Sequence, residues 1–98
     1  MKTLHVSTLP AAPLDAAASF YRDHLARCRV AAGDLAIVLP AADHTHRAWR
    51  LAAVQELARA AAPRRVNAVS GAGEAAIGEA LAYLAAAPGL TGQVLVLA

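Results

Sequence analysis

The sequence has little of several features that would assign it to a specialised class. Its one cysteine, Cys28, excludes an intrachain disulfide. No apolar run reaches the roughly 18 residues of a membrane-spanning helix. The opening residues, MKTLHV, contain neither the apolar stretch nor the cleavage site of a secretory signal. We therefore expect a cytoplasmic protein without a membrane partner.

The sequence also has too few clustered basic residues to indicate a nucleic-acid partner. The formal net charge is +2, Lys2 is the only lysine, and the one tight basic run is Arg64-Arg65. Aromatic residues make up 4% of the chain and do not alternate with the arginines, as they would on a surface that stacks bases. What the chain has instead is 58% hydrophobic residues over 98 positions, which predicts one folded domain spanning residues 1–98.

Strand-like and helix-like patterns alternate along the chain, which predicts an α/β fold with a parallel sheet. The expected strands are Thr3–Thr8, Leu35–Leu39, Arg65–Val69 and Gln93–Leu97. The expected helices are Leu14–Arg29, Asp43–Ala62 and Glu74–Ala86. The order is β-α-β-α-β-α-β. The second strand is apolar at every position and should be central, whereas the first alternates and should lie at an edge.

The apolar stripes of the three helices predict which side of each helix is buried. In the first helix the stripe is Leu14, Ala18, Tyr21, Leu25 and Cys28. The second helix has a main stripe, Leu51, Val54, Ala58 and Ala61, and a second one, Trp49, Ala53 and Ala60. In the third helix the stripe is Ile77, Ala80, Leu81 and Leu84. Because the second helix is apolar on two sides, we expect it to contact two neighbours.

Two segments carry a family resemblance. Residues 51–71 read LAAVQELARAAAPRRVNAVSG, and residues 80–96 read ALAYLAAAPGLTGQVLV. The first is similar to the short-chain dehydrogenase/reductase family, in which a helix leads into a strand reading RVNAV. The second resembles the closing helix, turn and last strand of that family. The resemblance implies a truncated Rossmann-like fold corresponding to the C-terminal half of the family.

The resemblance also shows what this sequence lacks. The glycine-rich loop that binds a dinucleotide has no counterpart, since Gly71-Ala-Gly73 follows the third strand and is too short. The catalytic Tyr-x-x-x-Lys of the family falls on Asp43 to Arg47, and no lysine follows position 2. The preceding catalytic serine would fall near Ala41. We therefore expect no catalytic residues, no cofactor and no dehydrogenase activity from this chain alone.

The resemblance further implies strand order 1-2-3-4, with the first two helices on one sheet face and the third on the other; order 2-1-3-4 stays open. In order 1-2-3-4, apolar side chains of the first two strands are left partly bare on the face of the third helix. A bare patch of several hundred Å² marks an interface. We expect a homodimer, a larger oligomer or a protein partner. The expected interface residues are Trp49, Ala53, Ala60, Tyr21, Leu95 and Leu97.

A second candidate site is the sheet edge where strands end, which is where α/β proteins bind ligands. The side chains expected there are Ser7, Asp43, His44, His46, Arg47 and Ser70. Asp43, His44 and His46 offer at most three metal ligands, and Asp43 is at least as suitable as the cap of the second helix. We assign no metal site. A pairing of Ser7 or Ser70 with His46 is a weaker alternative.

Three functions follow from these observations. The first is a non-catalytic dehydrogenase-like domain, or pseudoenzyme, that acts through self-association or a protein partner. The second is a subunit of an NAD(P)-dependent oxidoreductase whose nucleotide site lies on another chain. The third is a small ligand- or metal-binding protein that uses the edge from Asp43 to Arg47.

Overall fold

The computed structural model describes residues 1–97, which form a four-stranded parallel sheet flanked by helices on both faces. The strands are β1 (Lys2–His5), β2 (Leu35–Leu39), β3 (Val66–Ser70) and β4 (Val94–Val96). The helices are α1 (Pro13–Asp23), α2 (Leu25–Val30), α3 (Arg47–Ala61) and α4 (Glu74–Ala85). A 3-10 turn, His44–His46, precedes α3. Among residues 1–97, none of the helices has the length and apolarity that a membrane crossing requires.

The strand order is β1-β2-β3-β4, as predicted, and every neighbouring pair is parallel. Leu4 lies beside Ile37, Ile37 beside Ala68, and Ala68 beside Val94, so the register is continuous across the sheet. β2 is buried along its whole length, which confirms its central position. Side chains alternate along β2, so its residues contribute to the cores on both faces.

The major core lies between the sheet and the helices α1, α2 and α3, and the minor core lies between the sheet and α4. The major core includes Leu4, Phe20, Cys28, Leu35, Ile37, Leu39, Val54, Leu57 and Val66. The minor core includes Ala36, Val69, Ala80 and Leu84, with Ile77, Leu81, Leu95 and Leu97 half-buried around it. This is the predicted distribution of helices over the two faces.

The first predicted helix is broken, which changes the face that it buries. His24, with φ −123°, leaves the helical region between α1 and α2. The buried residues are Ala16, Phe20 and Cys28, whereas Leu14 is 87% exposed and Tyr21 is exposed. The predicted stripe of this helix is therefore wrong for Leu14, Ala18 and Tyr21. His24 ends α1, and α2 then buries Cys28 in the same core as Phe20.

The prediction of a bare apolar sheet face over the first two strands is also wrong. Ala36 is fully buried and Val38 is 6% exposed on the face that α4 covers. On the same face β1 carries Thr3 and His5, which are polar, because Leu4 points into the major core. The apolar surface that remains lies instead at the opposite edge, where Val96 of β4 is 67% exposed. The β1–β2 face therefore offers no bare apolar patch to a partner.

Candidate functional site

The carboxyl ends of β1, β2 and β3 bring three chain segments together at one edge of the sheet. The loop after β1 contributes Ser7 to Ala11, the loop after β2 leads from Pro40 to Asp43, and β3 ends at Ser70. Helix α3 starts at the same edge. All six predicted edge residues line two concavities there, Ser7 in one and His44, Arg47 and Ser70 in the other.

Asp43 begins the segment that leads into α3. Its carboxylate accepts hydrogen bonds from the Thr45 backbone N–H, at 2.9 Å, and from the Thr45 hydroxyl. These bonds, the hydroxyl's first, lower the pKa of Asp43 below its usual value. Asp43 is therefore the expected cap, although it caps the 3-10 turn and not α3 itself. An ionised carboxylate cannot supply the proton that a catalytic tyrosine supplies.

His46 connects the loop after β1 to α3. Its side chain is 5% exposed, its Nδ1 accepts from the Trp49 indole Nε1 at 3.1 Å, and its Nε2 lies 3.0 Å from the Ala11 carbonyl oxygen. Because Nδ1 is the acceptor, Nε2 carries the proton and donates to Ala11. Both ring nitrogens are thus occupied, which leaves neither to activate a serine or to ligate a metal. Within residues 1–97, no three His, Cys, Asp or Glu side chains are grouped for metal binding.

The residues predicted for a protein interface lie in different environments. Trp49 is half-buried, and its ring centroid is 5.7 Å from that of Phe20, so it belongs to the major core. Ala53 is 2% exposed and cannot contact a partner. Leu95 and Leu97 pack around the minor core. Tyr21 and Ala60 are exposed. The second stripe of α3 is therefore mostly explained by contacts within the chain.

Arg50 is the unusual residue of this edge. Its side chain is 4% exposed, and its Nη1 donates to the Pro40 carbonyl oxygen and to the Ser70 hydroxyl, both at 2.9 Å. It forms an ion pair with no carboxylate among residues 1–97. Burial lowers the pKa of Arg50. The buried Nε has no hydrogen-bond partner. Arg50 is thus a buried cation with neutral acceptors and unused donors.

The guanidinium of Arg50 separates two pockets. The first, of about 330 Å³, extends from Arg50 and Ser70 toward Leu51, Val94 and Val96. The second, of about 400 Å³, lies between the loops after β1 and β2, with Ser7, Thr8 and His46 in its wall. One face of the guanidinium is covered by Trp49, whose ring centroid is 5.6 Å from Cζ. The arrangement can bind a small anion in contact with the remaining donors.

The sequence analysis did not find Arg50, although the sequence contains a signal. Arg50 lies four residues after His46 and four before Val54, and both are buried, His46 in the 3-10 turn and Val54 on α3. A polar residue in the middle of a helical i, i+4 stripe is expected in the interior. An arginine there requires a partner, and this requirement is the feature that singles out the site.

The fold of the chain agrees with a match to a known protein family. A family model described as short chain dehydrogenase-like protein matches residues 4–97. The chain belongs to this family. No curated protein and no solved structure shows significant similarity to it.

Proposed function

We propose that this short chain dehydrogenase-like domain binds a small anionic ligand at Arg50 and does not transfer hydride. The observation that carries the proposal is the burial of Arg50 without an anionic partner among residues 1–97. Its Nη2 forms no hydrogen bond with these residues and, unlike Nε, keeps some contact with solvent. A ligand therefore has access to a donor of this cation from the pockets.

The energetics favour a ligand at this position. Removing a guanidinium from water without a counter-charge costs on the order of several kcal/mol. The two neutral acceptors, Pro40 and Ser70, offset part of this cost, since a hydrogen bond to a charged group contributes about 1.5–3 kcal/mol. An anion bound at the remaining donors would offset more. Natural proteins retain such unfavourable groups mainly at functional sites.

The absence of dehydrogenase activity rests on Asp43. Its lowered pKa keeps the carboxylate ionised at neutral pH, so it holds no proton to donate to a substrate carbonyl. Arg47 differs from lysine in shape and in hydrogen bonding. We therefore expect no NADH or NADPH oxidation by the chain with any carbonyl substrate.

Isothermal titration with acetate and with inorganic phosphate tests the binding proposal. We expect saturable binding of at least one of these anions to the wild type, at least tenfold weaker binding to Arg50→Gln, and unchanged binding to Arg59→Gln. Arg59 is a matched control because it lies on the same helix with a 64% exposed side chain. Circular dichroism establishes that the variants are folded, and Arg50→Lys keeps the charge if Arg50→Gln does not fold. Binding by Arg50→Gln as tight as that by Arg59→Gln and the wild type, or no binding to the wild type, contradicts the proposal.

A second candidate function is association with another copy or with a protein partner. The observation in its favour is the apolar surface beside β4, where Val96 is 67% and Leu51 is 37% exposed. Light scattering at micromolar concentration tests self-association, and a monomer there contradicts it. Completion of an oxidoreductase by another chain places the nucleotide site on that chain, so we expect no saturable NADH binding to the isolated protein. Saturable binding to it would contradict that arrangement.

A further inference from the structure

We propose that the ligand of the Arg50 site is a monocarboxylate with a short apolar body, bound in the pocket that opens toward β4. This inference rests on the proposed anion site and specifies the ligand. Of the two pockets beside Arg50, this one combines a polar end with an apolar wall. Ser70 and Arg50 form the polar end, whereas Leu51, Val94 and Val96 form the wall.

The polar end suits a carboxylate. The Ser70 hydroxyl accepts from Arg50 Nη1 at 2.9 Å and donates to no residue among 1–97, so its proton is available to a ligand. Arg50 Nη2 forms no hydrogen bond with residues 1–97 and is a further donor of the same guanidinium. An oxyanion that receives one hydrogen bond from a hydroxyl and one from a guanidinium is held by a charge-assisted contact with defined direction. These two donors favour an oxyanion over a cation or a neutral amine.

The charges around the pocket favour a single negative charge. Asp43 contributes one negative charge to the lining, and Arg47 and Arg50 contribute one positive charge each. These three side chains leave one positive charge in excess. A monocarboxylate balances that charge, whereas a phosphate dianion adds a second negative charge near the Asp43 carboxylate. Like charges at close range disfavour the dianion.

The apolar wall gives the ligand body a surface to cover. Val96 is 67% exposed and Leu51 is 37% exposed, although both line a concavity. Helix α3 packs more extensively over β3 than over β4, and Val96 at the end of β4 stays exposed. An alkyl chain that extends from the carboxylate would remove these side chains from water. Each buried methylene contributes about 0.8 kcal/mol, which corresponds to about a fourfold gain in affinity.

The test is a titration of the protein at neutral pH with acetate, propionate, butyrate and hexanoate, beside inorganic phosphate and hexylamine. Trp49 is the only tryptophan and lies against the Arg50 guanidinium, so its fluorescence reports binding directly. We expect affinity to rise about fourfold for each added methylene until the pocket is filled. Phosphate should bind more weakly than butyrate, and hexylamine should not bind.

Matched valine variants identify the wall. Val96→Thr keeps the shape and the strand preference of valine but makes the wall polar, and Val30→Thr changes a valine that is 82% exposed on α2. Val96→Thr should reduce the affinity for hexanoate several-fold and leave that for acetate unchanged, and Val30→Thr should change neither. Phosphate binding more tightly than butyrate, or an affinity independent of chain length, overturns the monocarboxylate inference but leaves the anion site intact. Failure of every anion to bind overturns both.

Discussion

The indole N–H of Trp49 donates to Nδ1 of His46 at 3.1 Å, and the same imidazole reaches the Ala11 carbonyl oxygen through Nε2. These two bonds hold the loop after β1 against the start of α3. Trp49 also covers one face of the Arg50 guanidinium. The residues that position the candidate site therefore stabilise the fold as well, and variants at His46 should affect both.

Replacing His46 with Ala should destabilise the protein by about 2–3 kcal/mol, because two buried partners lose their hydrogen bonds. Urea unfolding followed by circular dichroism measures the change. Trp49→Phe is the matched control, since it removes only the indole N–H and keeps an aromatic ring beside Phe20; we expect a loss of about 1 kcal/mol. Substitutions at the surface usually change the free energy of unfolding by less than about 0.5 kcal/mol. A change that small for His46→Ala would contradict the role of His46 as a buried hydrogen-bonding residue.

Replacing Asn67 with Ala should cost about 2–3 kcal/mol, since its amide satisfies two backbone groups of the segment before β4. The Asn67 side chain is 2% exposed, donates to the Leu90 carbonyl oxygen at 2.9 Å, and accepts from the Gln93 N–H at 3.1 Å. Gln93→Ala is the control, because Asn67 accepts only from the Gln93 backbone N–H and the Gln93 side chain is exposed. If both variants unfold at the same urea concentration, the amide of Asn67 does not hold this segment.

The sheet could be predicted from the sequence because its determinants are local. β2 is an uninterrupted apolar run, and Leu35–Leu39 is observed with the predicted bounds. The Pro and Gly residues after each helix limited the other elements to within a few positions. The stripe on α4 was also found, since Ala80 and Leu84 are its buried residues. Regular periods in the sequence carry this information directly.

Features that depend on packing between distant segments were not predictable in this way. No Pro or Gly lies near His24, so no helix-breaking residue in the sequence marks the break there. Trp49 was assigned to a partner because Phe20, its neighbour in space, lies 29 positions earlier in the chain. Arg50 was missed for the same reason, since its acceptors come from Pro40 and Ser70.

Glycine substitutions should have opposite effects at two positions. Gly92 has φ +73°, a conformation that costs other residues roughly 1–2 kcal/mol, so Gly92→Ala should destabilise the protein by about that amount. Gly78 lies inside α4 with open space around its Cα, so Gly78→Ala should stabilise it by about 0.5–1 kcal/mol. Thermal unfolding of the two variants and of the wild type measures these changes in stability. A Gly92→Ala variant as stable as Gly78→Ala would be inconsistent with the left-handed turn before β4.

Asp34 should make the free energy of unfolding depend on pH in the acidic range. Its carboxylate accepts the Arg65 backbone N–H at 2.8 Å and the Arg65 Nε at 2.9 Å, and Arg65 Nη1 in turn donates to the Leu84 and Ala87 carbonyl oxygens at the end of α4. The backbone bond first, and then the guanidinium bond, lower the pKa of Asp34. The folded state therefore holds the ionised form more strongly than the unfolded state does.

The stabilisation from a lowered pKa is fully present above the unfolded value, about 3.9 for aspartate, and is lost as pH falls through the lower folded value. Asp34→Asn removes the ionised carboxylate. We expect the variant to be less stable than the wild type at neutral pH, and the difference to shrink as the pH is lowered below about 4. Urea unfolding at several pH values measures this difference. The contrary result is that the free energies of unfolding of Asp34→Asn and the wild type differ by a constant amount down to about pH 2.5. That result would mean that the ion pair with Arg65 contributes nothing to folding.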